Sequence, residues 1–174
     1  MPTVMSHAVV GLALGSLTRV PRRRRIFWVL SALLPVVPDL DVIGLAFGIR
    51  FHSMWGHRGI SHSLVGALVI GLVAAALTRR AIGMRFLPLA LYAAAVTASH
   101  GVLDALTTGG PGVAFFAPFD ETRYFAPWRL IPVSPLAPQF FSEWGWRVFR
   151  AELVLLWLPA AAVILTRWIA RARR

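Results

Sequence analysis

Five histidines and seven acids are few for a chain of 174 residues, and most of them stand where water is not expected. His7, Asp39, Asp41, His57, His62, His100, Asp104 and Glu152 all lie in or beside strongly apolar segments. An ionisable group in such a segment is expensive and defaults to a functional role. Imidazoles and carboxylates together make a nitrogen- and oxygen-rich ligand set. Zinc accepts both, and a catalytic zinc needs about three protein ligands with one position open. Eight candidate donors suffice for one or two divalent ions, zinc as the first expectation and manganese as the second. Two ions a few ångströms apart suit phosphoester hydrolysis. Arg58 would then face the charge that develops on phosphate.

Local spacing supports a site. His100 and Asp104 are i and i+4 and share a helix face, with the small Gly101 beside them. Pro38 precedes Asp39 and Asp41 and is expected to break its segment there. Broken helices at membrane depth are tolerated where they line a polar cavity. His57 and His62 bracket a loop-to-helix entry with Ser61 as the expected cap. Each residue also has a structural reading. An intramembrane His can be interhelical glue, Asp39 and Asp41 can cap a turn, and Glu152 can sit solvated at the interface. His52 is expected in a solvated loop. Arg123, Arg129, Arg147 and Arg150 are expected to anchor to headgroups.

The elements that must hold these groups are apolar. Hydrophobic residues make up 57% of the chain, charged residues 14%, and mean hydropathy is +0.69. A soluble domain carries about 25% charge. The chain therefore reads as a single all-α membrane domain, a bundle of about five helices over residues 4–17, 26–49, 60–77, 86–106 and 151–169. Residues 107–150 hold half of the 12 prolines and many aromatics. They read as a long ordered loop in the interface. No cysteine is present, which excludes disulfides and thiolate metal sites. The apolar N-terminal run has no basic residue before it, so a cleaved signal peptide is not expected.

The net charge of +11 does not point to nucleic acid. All 18 basic residues are Arg, and 12 fall in three groups: Arg19 with Arg22 to Arg25, Arg79 with Arg80 and Arg85, and Arg167 with Arg171, Arg173 and Arg174. Each group ends an apolar segment, which is membrane-anchor placement. In an alternating path the three groups share one side. The positive-inside rule makes that side, and the C-terminus, cytoplasmic. Counted from these arginines at about 1.5 Å per residue, the polar groups lie about 18 to 28 Å away. That is the outer third of a hydrocarbon core about 30 Å thick. Five segments thus place their rare polar residues in one layer, facing the extracytoplasmic side.

Ser6-His7 with Gly11, Pro38-Asp39-Leu40-Asp41, His57-Arg58-Gly59-Ile60-Ser61-His62-Ser63, and His100 to Asp104 followed by Thr107 and Gly109 resemble the YdjM-like family of inner-membrane metal-dependent hydrolases. Phe116 to Phe119 with Tyr124, and Pro132 to Pro135, add to the likeness, which covers nearly the whole chain. The order of the motifs is also distantly similar to that of zinc-dependent phospholipase C. The resemblance implies His7, Asp39, His62, His100 and Asp104 as metal ligands, with Asp41, His57 and Glu152 beside them or on a second ion. Glu152 is taken with the ligands, Asp41 or His57 as the proton carrier, and Arg58 as the phosphate-facing cation. The expected reaction is hydrolysis of a membrane lipid or lipid-linked phosphoester at the extracytoplasmic leaflet of a bacterial-type inner membrane. Two other readings remain open: metal or proton transport, and a structural metal that clips helices together without turnover.

Overall fold

The computed structural model describes residues 1–18, 24–135 and 137–173. Arg19, Arg22, Arg23 and Arg174, counted above among the anchoring arginines, lie outside the described residues. Among the described residues the regular structure is all helical, with two isolated β-bridges in the long loop. The described residues form six α-helices: α1 (Val4–Leu17), α2 (Arg24–Leu33), α3 (Leu64–Ile82), α4 (Phe86–Ala105), α5 (Glu143–Glu152) and α6 (Leu158–Ala172).

α2 runs directly into a long 3-10 stretch, Leu34–Phe47. Pro35 and Pro38 lack the N–H that an α-helical ladder needs, so this half of the span is wound differently. The break begins at Leu34, four residues before the Pro38 position where it was expected. Likewise α5 and α6 join through a π turn, Leu153–Trp157, into one helix from Glu143 to Ala172.

Among the described residues, four helices are long and apolar enough to cross a bilayer: Arg25–Phe47, Leu64–Ile82, Phe86–Ala105 and Glu143–Ala172. α1, with 14 residues, is about 21 Å long and shorter than the core of a bilayer. Their outer faces expose large apolar side chains such as Val73, Leu77, Leu91, Val154 and Leu165, as lipid-facing surfaces do. The boundaries differ from the sequence expectation mainly at two places. The third span starts at Leu64, capped by Ser63, whose side chain accepts from Gly66 N; Ser61 is not the cap. The last span starts at Glu143, so positions 143–150, read as loop, are helical. Ser142 caps that helix and accepts from Gly145 N.

α3 and α4 form an antiparallel pair, closed by the left-handed C-cap Gly83. α1 packs on α2, α4 and α6. Phe27, Ile82 and Leu89 pack together, so the starts of α2 and α4 and the end of α3 share one end of the bundle. Arg171 at the end of α6 donates to the Ser16 and Thr18 carbonyls beyond α1. The described arginines of the three groups therefore gather at that end. The polar residues gather towards the other.

Candidate metal centre

The 3-10 stretch, the turn Ile60–His62 and α1 and α4 bring five chemically active residues into contact. His7 comes from α1, Asp39 from the 3-10 stretch, His62 from the short turn, and His100 and Asp104 from adjacent turns of α4. All are buried, His7, His100 and Asp104 completely. Close approach of the turn to α4 depends on Gly101. A Cβ there would stand 2.7 Å from the His62 carbonyl oxygen.

The donor atoms face one another at a consistent spacing. His100 Nε2 lies 3.4 Å from Asp39 Oδ1 and 3.8 Å from Asp104 Oδ2. His62 Nε2 lies 3.6 Å from Asp39 Oδ1 and 3.7 Å from Asp104 Oδ2. His7 Nε2 lies 3.6 Å from Asp104 Oδ1. These separations exceed a hydrogen bond. Ligands about 2.0–2.1 Å from a tetrahedral ion stand about 3.3–3.4 Å apart, which is close to what is seen. These donor atoms, together with His7 Nδ1 and Asp39 Oδ2, have no hydrogen-bond partner among the described residues. A buried polar group without a partner is destabilising by about 1–3 kcal/mol. So many, converging on one point, fit a divalent cation. Among the described residues, three overlapping trios have donors within 4.8 Å of one another: His7, Asp39 and His100; Asp39, His57 and His62; and His62, His100 and Asp104.

The outer partners fix which nitrogen faces inward. His100 Nδ1 donates to the Pro35 carbonyl at 2.6 Å, leaving Nε2 as a lone pair. His62 Nδ1 lies 2.9 Å from Ser61 Oγ and 3.2 Å from Asp41 Oδ2, again leaving Nε2 for a ligand role. Partners of this kind hold a metal-binding imidazole in its tautomer and raise its basicity. Asp41 also accepts from His57 Nδ1 at 2.9 Å and from Ser61 Oγ at 2.6 Å. Asp41 therefore stands behind two histidines and orients them. Of the two expected proton carriers, His57 is bonded to Asp41 through Nδ1 and also joins Asp39 and His62 in one of the trios.

Arg58 is almost fully buried beside this cluster. Its Nε lies 2.9 Å from Asp104 Oδ2, out of line for a hydrogen bond, so the contact is an ion pair. Its two Nη atoms donate to the Gly109 carbonyl and Thr107 Oγ1. Arg58 has φ of 63°, a conformation in which a non-glycine residue is uncommon. Gly110 makes room: at φ of 93°, a Cβ there would stand 2.6 Å from an Arg58 Nη atom.

Two placements differ from the sequence reading. Glu152, expected among the metal ligands, belongs to none of the trios found among the described residues. Its oxygens are taken by Thr3 and Ser6. Arg123, expected at headgroups, donates to the carbonyls of His52, Ser53, His57 and Arg58 and clamps the loop that carries the site. Burial lowers its guanidinium pKa from the ordinary value, opposed by the charge of Glu121. No side-chain motif announces such a clamp, because its partners are backbone oxygens.

Comparison with known proteins accords with this architecture. A family model described as YdjM inner membrane protein matches residues 1–173. Inner membrane protein YbcI of Escherichia coli (strain K12) is 36% identical over 173 residues, 97% of this chain and 98% of that protein. No solved structure matches. With its several apolar helices, the chain is a multi-pass inner-membrane protein, and it belongs to the YdjM inner membrane protein family.

Proposed function

We propose that the protein is a membrane-embedded, metal-dependent hydrolase of lipid or lipid-linked phosphoesters, with its site towards the extracytoplasmic leaflet and its C-terminus cytoplasmic. The observation that carries the reading is the ring of unpartnered donors on His7, Asp39, His62, His100 and Asp104, set against a buried arginine. Zinc is the first candidate and manganese the second, as one ion or two. A divalent ion bound there supplies Lewis acidity and makes water a nucleophile at neutral pH.

The chain's own residues supply the rest. Arg58 places a fixed cation beside the donors, where charge accumulates on the phosphoryl oxygens during attack. His57, held through Nδ1 by Asp41, presents Nε2 to take the proton of the attacking water. His57 then returns that proton to the leaving alkoxide as the ester P–O bond breaks. The phospholipase C likeness rests on motif order alone and is kept within this proposal. The near-complete burial of the donors favours a second reading, a structural metal without turnover.

The test uses purified, metal-loaded protein in detergent beside His62→Ala and Asp104→Ala. Metal content is measured by mass spectrometry, and turnover on a panel of phospholipids and prenyl phosphates. About one or two equivalents of metal with turnover, both lost in the variants, is the expected result. Metal without turnover favours the structural reading. Chelator-free wild type with no metal removes the mechanism.

A further inference from the structure

Glu152 is the carboxylate of the polar layer that the metal reading leaves without a task. It is fully buried, at the end of α5. Oε1 accepts from the Thr3 backbone N–H at 2.7 Å; Oε2 accepts from Thr3 Oγ1 at 2.5 Å and Ser6 Oγ at 2.6 Å. Trp157 Nε1 donates to the same Ser6 Oγ at 2.8 Å. Thr3 is in turn the N-cap of α1.

The π turn makes this double grip reachable. Successive residues of an α-helix are about 100° apart, so residues five apart point about 140° away from each other. The i→i+5 bonds of a π turn put more residues into each turn, which brings residue i+5 nearer to the face of residue i. Leu153–Trp157 is such a turn, so Glu152 and Trp157 present one face to the first turn of α1. The residue after Ser6 is His7. A rotation of α1 by about 10° would move an atom 5–6 Å from its axis by about 1 Å. Metal–ligand distances tolerate about 0.2 Å.

We infer that Glu152, acting with Trp157 through Ser6 and Thr3, is a positioning residue that sets the rotation of α1 and so aims His7 at the metal. The inference rests on the metal reading of the site. Glu152 does not itself coordinate, because both oxygens are occupied. Glutamine keeps the shape but offers one acceptor oxygen where the network needs two.

The test is titration of the metal-free, detergent-purified full chain with Co2+, followed by its visible absorption. Wild type is compared with Glu152→Gln, Trp157→Phe and Tyr92→Phe. Tyr92 is a control two turns before His100, bonded to Ser31 Oγ in the apolar core. Glu152→Gln is expected to bind Co2+ about 10–100-fold more weakly. Trp157→Phe, which removes one neutral hydrogen bond, is expected to lose about fivefold. Tyr92→Phe should match wild type even where it unfolds at lower temperature. Should Glu152→Gln not fold, the Trp157→Phe ratio decides alone. Affinities within twofold of wild type, or an equal loss in Tyr92→Phe, overturn the positioning role and leave the metal reading intact. Wild type that binds no Co2+ defeats both.

Discussion

Asp104→Asn is the sharpest perturbation of the site. Its two oxygens lie 3.6–3.8 Å from nitrogens of three histidines and 2.9 Å from Arg58 Nε. Asparagine fits the same space but removes the negative charge that would bind a cation. Zinc at a concentration 100 times Kd stabilises the folded state by about 2.7 kcal/mol. For a chain of this size, each kcal/mol moves Tm by about 2–4 °C, so zinc should raise the wild-type midpoint by about 5–11 °C. Loss of an anionic ligand that weakens binding about 100-fold brings the same zinc concentration down to Kd. The stabilisation falls to about 0.4 kcal/mol, and the rise to about 1–2 °C. The seven tryptophans give an intrinsic fluorescence readout for the melt in detergent. An equal zinc-induced rise in wild type and Asp104→Asn would refute the assignment of Asp104. Glu143→Gln, in the exposed pair with Arg147, should leave the rise unchanged.

Three further outcomes are expected. Arg123→Ala leaves four loop carbonyls without their shared donor, so the segment from His52 to Arg58 should exchange amide hydrogens faster while the spanning helices do not; hydrogen exchange by mass spectrometry reads this. Gly110→Ala places a methyl group against the Arg58 guanidinium in a left-handed backbone, and should lower stability by about 1–3 kcal/mol in a denaturant melt. Imidazole ligands must be deprotonated to bind, so the zinc-induced rise in Tm should be larger at pH 8 than at pH 5; a rise that does not change with pH would argue against histidine ligation.

The bundle was legible in the sequence because lipid imposes one demand, about 20 apolar residues per span, and the arginines mark where each span ends. Within the spans, the sequence could not reveal winding. Pro35 and Pro38 announce a break, but whether the chain kinks or tightens into a 3-10 helix depends on what donates to its carbonyls. Here His100 takes the Pro35 oxygen. The π turn after Glu152 has no residue signature at all. The start of the last helix did have one, Ser142 three residues before Gly145 with Glu143 in the first turn. The density of aromatic and polar residues around it made the segment look like part of the loop.

Depth and direction are separate quantities along a helix, and only the first can be counted from an end. A rise of about 1.5 Å per residue placed His7, Asp39, His62, His100, Asp104 and Glu152 in one layer. The structure brings the first five together there, and Glu152 reaches the residues just before His7 in α1. Direction is set by packing. His100 and Asp104 share a face by their own spacing, so that pair is legible from spacing alone. Glu152 is on a different helix from every histidine, and its azimuth follows from the π turn and from Thr3 and Ser6 waiting opposite. A carboxylate at ligand depth thus became a fully bonded latch. The same layer holds both kinds of acid: Asp39 and Asp104, the latter ion-paired with Arg58, have no hydrogen-bond partner among the described residues and keep lone pairs for a cation, whereas Glu152 is satisfied by protein. That contrast identifies the metal-facing groups more sharply than their residue types do.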